Sequence, residues 1–130
     1  MPPPAGLHLR ATNAVPHGRG MGSSATAIVG GVAAAHALAV RGGALAGTEL
    51  DLGVVNGIAS ALEGHPDNAS ASVYGGATLS VTDPGEPLPR TRSVPLRLHP
   101  QIEAVVLVPE MTLSTHTARA VLPEVVPLAT

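Results

Sequence analysis

Pro16-His17-Gly18-Arg19-Gly20-Met21-Gly22-Ser23-Ser24-Ala25 is the stretch on which the reading of this chain turns. Three glycines at alternate positions lead into two serines, and the serines open a run of Ala, Ile, Val and Gly that predicts a helix to about residue 40. Flexible backbone, exposed N–H groups and the positive end of a helix dipole together suit a phosphate. The stretch is not a Walker A loop, because Gly22 stands where that loop needs lysine. It is not a dinucleotide fingerprint, because Ser23 takes the place of the third glycine, and it lacks the Gly-x-Ser-x-Gly order of a nucleophile elbow. On these residues alone an anion site and an ordinary helix N-cap after a glycine-rich turn explain the pattern equally well.

Working outward, residues 7–11 alternate apolar and polar and predict a strand, with a Gly- and Pro-rich loop over 13–22. The helix that follows shows little polarity on any face, which predicts burial nearly all round. Arg41-Gly42-Gly43 ends it. A second helix is expected from Thr48, which forms a variant capping box with Asp51. Its apolar positions Val54, Val55, Ile58, Ala59 and Leu62 recur at three- and four-residue spacing, and Gly64-His65-Pro66 stops it. Tyr74-Gly75-Gly76 reads as a turn, residues 77–81 as a half-buried strand, and residues 92–98 as an edge strand because Pro95 cannot donate to a ladder. The unbroken apolar run 102–108 predicts a buried central strand. A third helix is expected from Ser114 or Thr115 to just before Pro123. These elements make an α+β domain, a sheet of roughly four strands with helices packed on one side. Open sheet edges in such a piece are expected to lead to a homodimer or to aggregation.

The chain has 130 residues, enough for one domain, with 45% hydrophobic and 12% charged. Tyr74 is its single aromatic residue, so the core must be built from small aliphatic side chains and should be thin. All seven basic residues are arginine, which excludes lysine chemistry, and a net charge of −2 offers no attraction to nucleic acid or an anionic membrane. Zero cysteines exclude disulfides and thiolate catalysis. Residues 1–6 carry no signal-peptide pattern, and the apolar run 25–40 is broken by Gly30, Gly31 and His36 and is shorter than the ~20 residues of a membrane span. A soluble cytoplasmic protein is expected.

Two further clusters carry polar chemistry. Glu63-Gly64-His65-Pro66-Asp67-Asn68 offers a carboxylate for a metal and side chains for a substrate oxygen, while a helix C-cap followed by an Asx turn explains the same residues. In Leu113-Ser114-Thr115-His116-Thr117-Ala118-Arg119, Thr115 and Arg119 share one helical face at i, i+4 spacing. Arginine is a natural fork for a carboxylate, though a solvated surface position is the commoner case.

Taken together, the clusters resemble one family. Residues 16–25 are similar to the Pro-x-x-x-Gly-Leu-Gly-Ser-Ser-Ala loop of the GHMP kinases, the galactokinase, homoserine, mevalonate and phosphomevalonate kinase superfamily. Glu63-Gly64-His65-Pro66-Asp67-Asn68 followed by Tyr74-Gly75-Gly76 resembles the homoserine kinase branch. Val108-Pro109-Glu110, Leu113-Ser114-Thr115 and Ala118-Arg119-Ala120-Val121-Leu122-Pro123 are similar to that branch again. The resemblance runs over 7–123 and implies that 1–130 is one partial N-terminal ATP-binding domain, with a mixed sheet of the ribosomal protein S5 domain 2 type. It also implies that residues beyond about 100 lead toward a C-terminal domain. The family's first Asn-x-Gly-x-Gly-Phe-Asp type motif and its glycine-rich third motif do not occur in this sequence.

The resemblance implies that the phosphates of ATP lie along Pro16, His17, Gly18, Arg19, Gly20, Met21, Gly22, Ser23 and Ser24, with Ser24 touching Mg²⁺. Glu63 is the candidate second metal ligand and catalytic residue, although some relatives carry that glutamate where this chain has Gly57 or Ala61. His65, Asn68, Thr115 and Arg119 match positions that hold L-homoserine, Arg119 facing its carboxylate. Several relatives place an aspartate base where this chain has Asn68, which cannot take a proton, so the implied chemistry is in-line attack driven by positioning and charge stabilisation. Asp67 is left to orient the loop or to act as a base. Three expectations compete: homoserine kinase activity, a truncated nucleotide-binding piece without catalysis, and another small-molecule GHMP kinase.

Overall fold

The computed structural model describes residues 6–47, 49–85 and 90–108, with Glu110, Ala120, Val121, Pro123 and Val125. Three helices, α1 (Ser23–Arg41), α2 (Leu52–Glu63) and α3 (Asp67–Tyr74), precede two strands, β1 (Ala77–Asp83) and β2 (Arg90–Leu96). The strands pair antiparallel, with Leu79 opposite Val94 and Ser80 opposite Ser93. Helix α2 lies on β2 and α3 on β1, while α1 packs across both of these helices. The result is the expected α+β arrangement with helices on one side, but with two antiparallel strands among the described residues instead of a mixed sheet of four.

Each helix boundary has a local cause. Asp51 caps α2, its side chain accepting from the Val54 N–H at 3.0 Å. The expected start at Thr48 lies outside the described residues, and the capping oxygen comes from the aspartate instead. Gly64 ends α2 in the left-handed conformation, φ 84°, its N–H bonded to the Ser60 carbonyl. Helix α3 replaces the expected Asx turn. Asp67 in its first turn complements the helix dipole, and Gly75 stops it.

Burial departs from the sequence pattern in three places. Helix α1 is buried only at Ser23 and Ala25, not all round, because α2 and α3 cover one side of it and no described element covers the other. At 19 residues and mean hydropathy 1.5 it is long and apolar enough to cross a membrane by length and composition, longer than the 25–40 run predicted, although core helices of soluble proteins satisfy the same criterion. Helix α2 buries Val55, Asn56, Ala59 and Ser60, whereas Val54, Ile58 and Leu62 stay exposed, because no described element covers their side of the helix. Residues 7–11 and 102–108 form no strand, and Val105 and Leu107 are 95% and 91% exposed. A strand needs a ladder partner, and none of the described residues supplies one.

The described apolar core is Ala25, Val55, Ala59 and Ala69, as thin as the composition predicts. The helix–sheet junction is polar instead. Ser70 Oγ donates to Asn56 Oδ1 at 3.0 Å, Asn56 Nδ2 donates to Ser93 Oγ at 3.0 Å, and Ser80 Oγ donates to Ser70 Oγ at 2.9 Å. Ser93 Oγ also lies 2.8 Å from both Ser70 Oγ and Ser80 Oγ. A hydroxyl has one proton, and those of Ser70 and Ser80 are committed, so Ser93 can donate to only one of its two neighbours. The hairpin therefore turns its hydroxyl face to the helices and leaves Leu79, Val81, Val94 and Leu96 exposed on the other.

This proton count separates two substitutions. Ser80→Ala leaves Asn56, Ser70 and Ser93 mutually satisfied and should cost less than about 1 kcal/mol in urea unfolding. Ser93→Ala strands the Asn56 amide and should cost about 1–3 kcal/mol. Equal costs would contradict the proton count.

Candidate active site

The glycine-rich loop ends at the first turn of α1. Gly18, Gly20 and Gly22 all take positive φ, at 63°, 70° and 72°. Gly22 is the N-cap of α1, and no side chain caps the helix, so the backbone donors of its first turn have no side-chain acceptor there. No acidic residue lies in that turn. Such a terminus is favourable to an anion.

Around it lies a cavity of about 260 Å³ lined by His17, Gly18, Gly20, Met21, Gly22, Ser23, Ser24, Glu63, His65 and Asn68. This is smaller than the roughly 300–1,000 Å³ of pockets that enclose drug-sized ligands. A larger hollow of about 490 Å³, lined by His36, residues 45–47 and 49–51 and Val54, shares no lining residue with this cavity. Of the residues expected to meet ATP, Pro16 and Arg19 do not line the cavity. Thr115 and Arg119 lie outside the described residues.

Four contacts organise the site. Ser24 Oγ donates to Glu63 Oε1 at 2.8 Å, joining the first turn of α1 to the last residue of α2 across 39 positions of sequence. Ser23 Oγ lies 3.3 Å from His17 Nδ1, fastening the loop to the helix it precedes. His65 Nδ1 and the Asn68 N–H both meet Asp67 Oδ1, at 2.6 and 2.7 Å. Asn68 also lies against the loop, since a Cβ built on Gly22 would come within 3.1 Å of Asn68 Oδ1.

Ser24 and Glu63 supply a hydroxyl and a carboxylate oxygen side by side, donors of the hard kind that Mg²⁺ takes. No group of three or more His, Cys, Asp or Glu among the described residues could hold a metal. Gly57 and Ala61 have no oxygen on their side chains, and Glu63 is the acidic side chain within α2.

Residues 2–76 match the model of the GHMP kinases N-terminal domain. The chain belongs to the GHMP kinases. Within this family it is 46% identical over 119 residues to the homoserine kinase of Mycobacterium tuberculosis (strain ATCC 25618 / H37Rv), covering 92% of this chain and 37% of that relative. It is 46% identical over 129 residues to the homoserine kinase of Rhodococcus opacus (strain B4), covering 94% of this chain and 40% of the relative. To that of Mycobacterium leprae (strain Br4923) it is 44% identical over 119 residues, covering 92% and 37%. This GHMP kinase chain thus spans well under half the length of the curated relatives it matches.

The loop geometry yields a paired test. Ala at Gly20 or Gly22 pays the left-handed cost of about 1–2 kcal/mol, but only at Gly22 does the new Cβ meet Asn68. Gly22→Ala should therefore destabilise more than Gly20→Ala and shift the Asn68 side-chain amide resonance, which Gly20→Ala leaves in place. Identical spectra for the two variants would remove the loop–Asn68 contact from the site.

Proposed function

We propose that this chain carries the phosphate-binding loop and part of the substrate pocket of a homoserine kinase, transferring the γ-phosphoryl group of ATP to the side-chain hydroxyl of L-homoserine. The observation that carries the reading is the Ser24–Glu63 pair at the uncapped start of α1, with His65 and Asn68 lining the same cavity. Identities of 44–46% to curated homoserine kinases support the choice of substrate within the family.

In this reading the N–H groups of the loop and of the first turn of α1 receive the phosphates, and their fixed dipoles stabilise charge as it spreads over the equatorial oxygens. Ser24 and Glu63 would hold Mg²⁺, which when bound neutralises the phosphate oxygens. His65 and Asn68 would orient L-homoserine, and Arg119 with Thr115 would take its carboxylate end. Asn68 cannot accept a proton, so the hydroxyl proton leaves to solvent as the new P–O bond forms and the bond to ADP breaks. Catalysis then rests on alignment and charge stabilisation.

A second reading, nucleotide binding without turnover, is favoured by one observation: Leu79, Val81, Val94 and Leu96 lie exposed on a two-stranded sheet, with no covering layer among the described residues. One assay separates the two. Incubation of the chain with MgATP and L-homoserine, followed by ³¹P NMR, should give phosphohomoserine and ADP, with no product from mevalonate or galactose. Arg119→Ala should weaken L-homoserine about 10–100-fold and leave ATP unchanged. MgATP binding with no product would establish the second reading, and equal weakening of both ligands would remove Arg119 from the substrate pocket.

A further inference from the structure

We infer that Asp67 is a positioning residue that fixes the His65 ring at the edge of the cavity, an inference that rests on the homoserine kinase reading. Asp67 itself does not line the cavity, whereas His65 and Asn68 on either side of it do. Its Oδ1 accepts from His65 Nδ1 at 2.6 Å and from the Asn68 backbone N–H at 2.7 Å. A carboxylate only accepts, so the ring nitrogen facing it carries the proton, and the tautomer is set. Nε2 is then the one ring nitrogen left for a ligand. The histidine is largely covered, at 24% side-chain exposure, while the aspartate is 64% exposed. The carboxylate thus acts from the solvent side on a ring that faces inward, as outer partners of ligating histidines do in other sites.

The same oxygen also sets Asn68. A helix-capping oxygen ordinarily accepts from an N–H two or three positions ahead. Asp67 accepts from the next residue and reaches back two positions to the histidine, so one atom holds the residues on both sides of it.

The test uses the 130-residue chain with L-homoserine and MgATP as separate ligands. Asp67→Ala removes the acceptor, whereas Asp67→Asn keeps an oxygen in the same place. Asp67→Ala should weaken L-homoserine about tenfold and MgATP less than about twofold, while Asp67→Asn recovers most of the loss. In ¹⁵N-correlated spectra, His65 should carry its proton on Nδ1 in the parent and in Asp67→Asn, and lose that preference in Asp67→Ala. Equal weakening of both ligands in Asp67→Ala, or a parent His65 protonated on Nε2 alone, would overturn the inference. A parent chain that binds MgATP but not L-homoserine would overturn the homoserine kinase reading instead, and the His65 spectrum would still decide whether Asp67 holds the ring.

Discussion

Four side chains, Asn56, Ser70, Ser80 and Ser93, tie α2, α3 and both strands together by hydrogen bonds. Among the described residues the buried apolar side chains are one valine and three alanines, which contribute little area per residue. The junction of helices and sheet therefore depends on directional bonds, and each bond fixes a distance and an orientation that a greasy contact would leave free. The same two helices carry the site residues, since α2 ends at Glu63 and α3 begins with Asp67 and Asn68.

The site follows from where those two helices meet. The left-handed turn at Gly64 reverses the chain so that the end of α2 and the start of α3 face the same loop. A single backbone reversal thus brings a carboxylate, an imidazole and an amide to the first turn of α1. The GHMP kinase relationship gives this convergence its sense, since phosphoryl transfer asks a protein mainly to place donors and acceptors accurately.

Much of the loop and of the helix boundaries was legible in the chain. Alternating glycines before paired serines mark a helix start, and Gly64 marks the stop of α2 without reference to any distant residue. The pattern placed the helix start at Thr48 with Asp51 three positions on, whereas Asp51 is itself the N-cap of α2 and accepts from the Val54 N–H. What periodicity could not supply was which side of an element would be covered. Leu79 and Val81 alternate with Ser80 and Thr82 as a half-buried strand should, yet the serine side meets the helices, because Asn56 and Ser70 stand there to receive it. Residues 102–108 read as central strand because an apolar run implies a covering layer, and such a layer is a property of partners and not of the run. Helix α3 was hidden by Asp67-Asn68, which serves a turn as readily as a helix start.

The hydroxyl-lined junction also has a calorimetric consequence. Heat capacity on unfolding rises with apolar surface newly exposed to water and falls with polar surface. A helix–sheet contact made of serine hydroxyls and one carboxamide contributes little to the first and something to the second. The described region should therefore show a shallow stability curve against temperature, with a broad melting transition and little of the curvature that drives cold denaturation in domains with oily cores.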